Sequence, residues 1–272
     1  MTVSGPVNHV VQLPNQTPLL FLLCYRPYHP KMKLPDRAAR PMRKISTRMW
    51  VHEDSMPMLG TRLALRMTIV KLSDDSLWIG TPTPHNPQLE NRVAEMGEVK
   101  YIVASSNGHN LFLEEWQRAF SEAAMYVAAR IPKKRPNLKD CTLLRDLDTT
   151  PWQGDLEMLP MDGAPFFDEH MFYHGRSKTL LVTDFFQNYT GVRQKGLGKI
   201  ITKLILEPIG FKGKCLAPPL KTRFAVKDKQ ALRASLDRLW DLDIERVVPA
   251  HGDILEQDAK QEIRRLCQRF YD

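Results

Sequence analysis

A layered α/β domain is what the sequence predicts for most of its 272 residues. Three observations predict it. From Met67 onward, short apolar runs of strand length alternate with segments whose apolar residues recur at helical spacing. Two amphipathic helices flank a strand near the C-terminal end. A hydrophobic content of 43% over this length is enough to bury a substantial core.

Met67 to Leu72 reads as a strand, Ser73-Asp74-Asp75 as a tight turn and Ser76 to Gly80 as its hairpin partner. Pairing of Trp50 to Arg66 into the same sheet is left open. Pro87 at a first helical position, with Leu89, Val93 and Met96 on one face, predicts a short helix that Gly97 ends. Val99 to Ala104 is a continuous apolar run of strand length. Leu113, Trp116 and Phe120 then recur at helical spacing, and Ala124 to Ala128 is the next strand. Lys133 to Pro151 is a charged connector, whose Lys133-Lys134-Arg135 cluster reads as a solvated loop. Leu156 to Met161, Glu169 to Tyr173 and Thr179 to Thr183 follow as strands, the last two joined by the turn His174-Gly175-Arg176-Ser177. Asp228 caps a helix whose Leu232, Leu236, Leu239 and Trp240 share a face, and Ile263, Leu266 and Phe270 share the face of another. Between them lies the strand Arg246 to Val248.

Residues 1–48 differ in character. They are rich in proline, show neither a helical nor a strand period, and read as a disordered extension preceding a domain over 49–272. Met1 to Trp50 holds eight basic residues and one acid, so nearly all of the formal charge of +8 resides there, leaving 31 basic and 30 acidic residues elsewhere. A near-neutral domain has no global basic field, which argues against nucleic acid as a partner of the folded part. The extension itself keeps two readings, a solvated tail or an organelle-targeting sequence whose prolines oppose the usual amphipathic helix. The longest apolar run, Leu19 to Cys24, is far short of a membrane span, and no secretory-signal pattern surrounds it. Four cysteines without a CxxC pair point to a reducing compartment, hence an intracellular and cytoplasmic location. The sequence does not specify an oligomeric state.

Chemistry concentrates at three strand ends. Val99 to Ala104 runs into Ser105-Ser106-Asn107-Gly108-His109-Asn110-Leu111-Phe112; Thr179 to Thr183 ends in Asp184; and Val247-Val248-Pro249 is followed by Ala250-His251-Gly252-Asp253. In this order the segments resemble the landmarks of the metallo-β-lactamase superfamily, over roughly Met67 to Asp272. The first matches its His-x-His-x-Asp-His turn with only the second position kept, as His109; Asn107, Leu111 and Phe112 stand where the other ligands would be. Asp184 is similar to the metal-bridging aspartate and His251 to the final histidine. The segment near Gly163-Ala164-Pro165 has no histidine where a further ligand would fall. Glu169, Phe172-Tyr173-His174 and the Leu-Phe pair after His109 look like an uncharacterised branch of the superfamily. The resemblance implies a four-layer αββα sandwich of the metallo-β-lactamase type with a thinned metal motif.

That thinning implies one weakly held Zn, Fe or Mn ion on His109, Asp184 and His251, or no ion at all. With an ion, a hydrolase acting on an ester, thioester or phosphodiester follows, with Asp184 and Asn107 assisting the water or a substrate carbonyl. Without one, the residual pocket serves a non-catalytic protein that binds a small molecule or a partner. Each residue also has an ordinary structural reading: His109 capping a helix, His251 bonding its own loop, Asp184 accepting loop amides. Glu169, His170 and His174 do not form a second cluster, because neighbouring positions of a strand point to opposite faces. No nucleophile elbow, phosphate loop or dinucleotide motif is present.

Overall fold

The computed structural model describes residues 40–58 and 60–272, and residues 40–272 belong to one unit. A seven-stranded sheet takes the order β1-β2-β3-β4-β5-β6-β7 along the chain: Arg43–Ser46, Met49–Met58, Thr61–Lys71, Leu77–Gly80, Val99–Ala104, Ala124–Val127 and Cys141–Leu143. Its first four strands are antiparallel and its last four run parallel. A four-stranded sheet has the order β13-β10-β9-β8, from Arg246–Pro249, Thr179–Val182, His170–His174 and Glu157–Pro160. β11 (Phe186–Asn188) and β12 (Lys214–Leu216) make a separate pair.

The two-residue period of each strand sorts side chains into three apolar layers. Met67, Ile69, Leu77 and Ile79 face the helices α1 (Pro87–Met96) and α2 (Leu113–Ala119), meeting Leu89, Val93, Leu113 and Trp116. Val70, Trp78 and Val103 point the other way and meet Phe172, Leu181 and Val248 between the sheets. On the far side of the smaller sheet, Leu180, Val182 and Val247 pack on Leu232, Leu236, Leu239 and Ile263. Those last four belong to the helices Lys229–Trp240 and Ala259–Cys267. Helices, sheet, sheet and helices thus stack as the expected αββα sandwich.

Caps and turns follow the sequence. Asn86 accepts from the Leu89 amide at 2.9 Å and Asp228 from the Ala231 amide at 2.9 Å. Other expectations are corrected. β1 pairs with β2, so the sheet begins within the stretch assigned to the extension; residues 1–39 lie outside the described residues. The pairing left open for Trp50 to Arg66 is present: β2 and β3 form a hairpin from Met49↔Val70 to Met58↔Thr61. The charged connector supplies β7, which pairs with β6. Its first two residues end α3 (Ile131–Lys134), where Lys134 Nζ donates to the Asn107 carbonyl at 2.6 Å and the following Arg135 Nε to Asn110 Oδ1 at 3.0 Å. The basic cluster is docked on the loop after β5, not merely solvated.

Burial also makes the fold sensitive to acid. His52 is 1% exposed, shares one ring nitrogen with the Thr83 hydroxyl at 2.7 Å and leaves Nε2 without a partner. Burial pushes its imidazole down from 6.5 to about 4. The stability contributed by its neutral form is therefore whole above the ordinary value and drains away as pH falls towards the folded one. Between pH 7 and pH 5 this amounts to about 2 kcal/mol for a buried histidine so shifted. Urea unfolding of wild type and H52L across that range should show the variant flatter by this amount. Dependence identical in the two would reject the assignment. His170 and His174, also lowered by burial, sustain the remainder.

Candidate metal centre

The rim at the C-terminal ends of β5, β10 and β13 carries the three landmark segments. In the parallel pair of β10 and β13, Val182 is level with Pro249. Asp184 and His251 each lie two residues beyond that register point, so they emerge side by side. The loop after β5 crosses from the other sheet and is stitched on, the His170 amide donating to Ser105 O at 2.8 Å and the Asn107 amide to Phe167 O at 2.7 Å. Gly108 permits the close approach, since a Cβ there would stand 2.5 Å from Asp184 Oδ2.

His109, Asp184 and His251 each offer a ligand atom, and these atoms all lie within 4.8 Å of one another. His109 Nε2 is 3.6 Å and His251 Nε2 3.7 Å from the same Asp184 Oδ1, and the two rings are 5.0 Å apart between centroids. Both nitrogen–oxygen spacings are too long for hydrogen bonds. They are near the ~3.4 Å edge of a tetrahedron with zinc–ligand bonds of ~2.0–2.1 Å. Closing the third side asks only for a modest inward motion of the imidazoles. The donor set, two imidazoles and a carboxylate, suits zinc, iron or manganese.

The surroundings fix each donor. His251 Nδ1 lies 2.7 Å from the Ala64 carbonyl. A carbonyl oxygen can only accept, so Nδ1 carries a proton, and in the neutral ring Nε2 presents its lone pair to the cluster. The buried Arg66 holds the same loop, donating to the carbonyls of Pro249 and Gly252, and pairs with Glu53 at 2.7 Å. Asp184 is 6% exposed, and the Ser106 hydroxyl donates to its Oδ2, leaving Oδ1 towards the histidines. Burial opposes its charge, and cationic imidazoles at His109 and His251 would hold the carboxyl well below the usual carboxylate range, a role that a bound cation takes over when both rings are neutral.

Asn107 does not join this group. Its Nδ2 donates to Phe166 O at 3.3 Å and its Oδ1 accepts from the Arg130 amide at 2.9 Å, so the amide is committed to bracing the loop. Leu111 and Phe112 pack into the outer core, offering no lone pair where the resemblance would place ligands. His170 and His174 bond to Asp168 O and Ser177 Oγ, apart from the cluster. Sequence reasoning left Glu169 without a role. Its Oε1 accepts from the Thr183 amide at 2.7 Å, and its Oε2 from the amides of Asp184 at 3.0 Å and Phe185 at 2.6 Å. Three consecutive backbone amides around the Asp184 turn therefore hang on one buried carboxylate. The signal lay in an acid placed inside an otherwise apolar strand.

A cavity of about 370 Å³ adjoins His251, lined by Arg40, Arg43, Ala64, Arg66, Ala250 and Gly252 among others. Neither it nor a larger one of about 540 Å³, around Asp148 to Met158 with Tyr173 and Gly175, is lined by any of the three candidate ligands.

Solved structures share this architecture. A metallo-β-lactamase from Pontibacter korlensis superposes with a TM-score of 0.56 at 17% identity, covering 84% of this chain and 98% of that one. DIM-1 metallo-β-lactamase exposed to ceftazidime gives 0.58 at 14%, covering 86% and 99%. A putative diflavin flavoprotein fragment from Nostoc sp. PCC 7120 gives 0.60 at 10%, covering 85% and 96%. At these identities the likeness is one of fold, and the fold is of the metallo-β-lactamase type. None of the curated proteins matches the sequence. Among the described residues, no helix is long and apolar enough to cross a membrane. The family model described as a domain of unknown function, DUF4336, matches residues 46–191, which include His109 and Asp184 but end before His251. That match spans more than half of the sequence, and the chain therefore belongs to the DUF4336 family.

Proposed function

We propose that His109, Asp184 and His251 hold one divalent ion, zinc, iron or manganese, and that the protein is a hydrolase acting on an ester, thioester or phosphodiester. One observation carries the reading. His251 Nε2, with its proton assigned to the other nitrogen, faces the carboxylate oxygen that His109 Nε2 also faces, at 3.7 and 3.6 Å. With both rings neutral, lone pairs gathered on one point repel unless a cation sits among them. When bound, such an ion supplies Lewis acidity and makes water acidic enough to attack near neutral pH.

The chain's own residues prepare for that role. Ser106 holds one oxygen of Asp184 so that the other is aimed at the ion, and Ala64 sets the tautomer and ring angle of His251. With Leu111 and Phe112 apolar, a second ion has no comparable set of ligands, so the centre is mononuclear.

Metal analysis of the purified protein tests the reading. Near-stoichiometric metal is expected in wild type and not in H251A. Added zinc should stabilise wild type by about 2.7 kcal/mol at a hundredfold excess over its Kd, with no such gain in the variant. Absence of both bound metal and stabilisation would favour the second reading, a non-catalytic binding protein, which the commitment of the Asn107 amide supports.

A further inference from the structure

Large apolar side chains crowd one exposed element of the segment between β11 and β12. Helix α4 (Leu197–Ile201) continues directly into a π-helical turn, Thr202–Leu206, together about 15 Å of helix. Leu197 is 68%, Ile200 55%, Leu204 72% and Ile205 42% exposed, with Ile209 just beyond at 38%. Among the described residues the one other large apolar side chain this exposed is Phe224. Scattered exposed leucines need no explanation, but a run of them on one helix does.

The helix presents this face because its opposite side is the one that packs. Gly198 is buried against the β2–β3 turn, where its Cβ would lie 3.3 Å from the Gly60 carbonyl, and Leu206 is buried too. Gln194 pins the approach to the helix by accepting from the Arg62 amide at 3.2 Å and donating to the Arg62 carbonyl at 2.8 Å. The apolar side is thus held outward by a fixed backbone.

Charge identifies what would cover it. From Val192 to Leu206 the sequence has Arg193, Lys195, Lys199 and Lys203 and no acid. Lys199 and Lys203, four residues apart on the helix, stand beside the stripe of Leu197, Ile200 and Leu204, and Lys195 just precedes the helix. The N-terminal stretch is itself strongly basic and is repelled by such a surface. A second copy docked face to face would oppose the same lysines. An anionic lipid surface meets both demands: acyl chains take the leucines and headgroups take the lysines, whose stems reach past the apolar edge.

We propose that α4 and its π-helical continuation form a membrane-surface docking element that lies in the interface of an anionic bilayer without spanning it. Co-sedimentation of the full-length protein with vesicles tests this. Phosphatidylglycerol-rich vesicles should bind it and pure phosphatidylcholine vesicles should not, with binding weakened by added salt. L197Q/L204Q, a neutral change at two exposed positions, should keep the wild-type thermal midpoint and lower partitioning by about tenfold or more. K199Q/K203Q should weaken binding to anionic vesicles while leaving folding intact.

No binding of wild type to the anionic vesicles would overturn the proposal. Binding that survives L197Q/L204Q unchanged would assign the affinity to the basic N-terminal stretch, and would overturn it as well. If wild type self-associates without vesicles and the double variant does not, the face belongs to a second copy and the proposal fails. Metal content enters none of these measurements, so the outcome is independent of the proposed centre.

Discussion

Replacing Glu169 by glutamine is expected to cost on the order of 3 kcal/mol of stability and to loosen the proposed metal centre, although the two side chains have nearly the same shape. The carboxylate accepts three backbone N–H groups through two oxygens. Burial, joined by the neighbouring Asp184, pushes its carboxyl up to about 8 even against the pull of these amides. The charged form fits the geometry better, because both oxygens already face amide donors with which a carboxyl proton would compete. Glutamine can offer one oxygen and one NH2. Whichever way it turns, a donor meets a donor, and at least one buried amide loses its partner at a cost of about 1–3 kcal/mol beyond the lost charge-assisted bonds. The amides involved are those of the turn that delivers Asp184, so metal affinity should also fall, by about 10- to 100-fold for a disturbed supporting shell. Urea unfolding and metal titration of E169Q measure both. A loss of stability below about 0.5 kcal/mol would mean that Glu169 is neutral in the native protein and that its amide contacts do not hold the turn.

The architecture was legible in the sequence because each layer follows from local periodicity. Leu180, Leu181 and Val182 alternate between the outer core and the inter-sheet core as a two-residue period requires. Leu232, Leu236 and Leu239 fall on the one helical face that packs. Asp184 and His251 were legible for a different reason: each ends an apolar strand, and parallel pairing brings the two ends level. What escaped was set by tertiary contact. The β2–β3 hairpin mixes polar and apolar residues because much of it is only half-buried, so its alternation is blurred. The docking of Lys134 and Arg135 depends on where α3 lies beside the loop after β5. Asn107 was read as chemistry and serves as a brace, since an amide in a tight turn is as useful to backbone groups as to a substrate. Helix α4 escaped because its apolar residues face outward, the reverse of the rule by which a core is read.

Two glycines beside the centre should respond to alanine in opposite ways. At Gly108 the backbone is not left-handed, but the new Cβ would stand 2.5 Å from Asp184 Oδ2 and 3.3 Å from its Cγ. The carboxylate must swing away, giving up the Ser106 hydroxyl and moving Oδ1 off the point that the two histidines share. G108A is therefore expected to keep the fold at a cost of about 1–2 kcal/mol while lowering metal affinity by about 10- to 100-fold. At Gly252 φ is +83° and a Cβ would come within 1.8 Å of the Asn188 carbonyl, a backbone group that already accepts from the Asp253 amide at 2.7 Å. No side chain can yield there, so the strand-end loop itself must move, and G252A should lose more than about 3 kcal/mol. Calorimetry of the two apo proteins, paired with zinc titration, separates the effects. If G108A bound zinc as tightly as wild type, the ion would not rest on Asp184; if G252A melted like wild type, the loop carrying His251 would be more compliant than its packing against Asn188 allows.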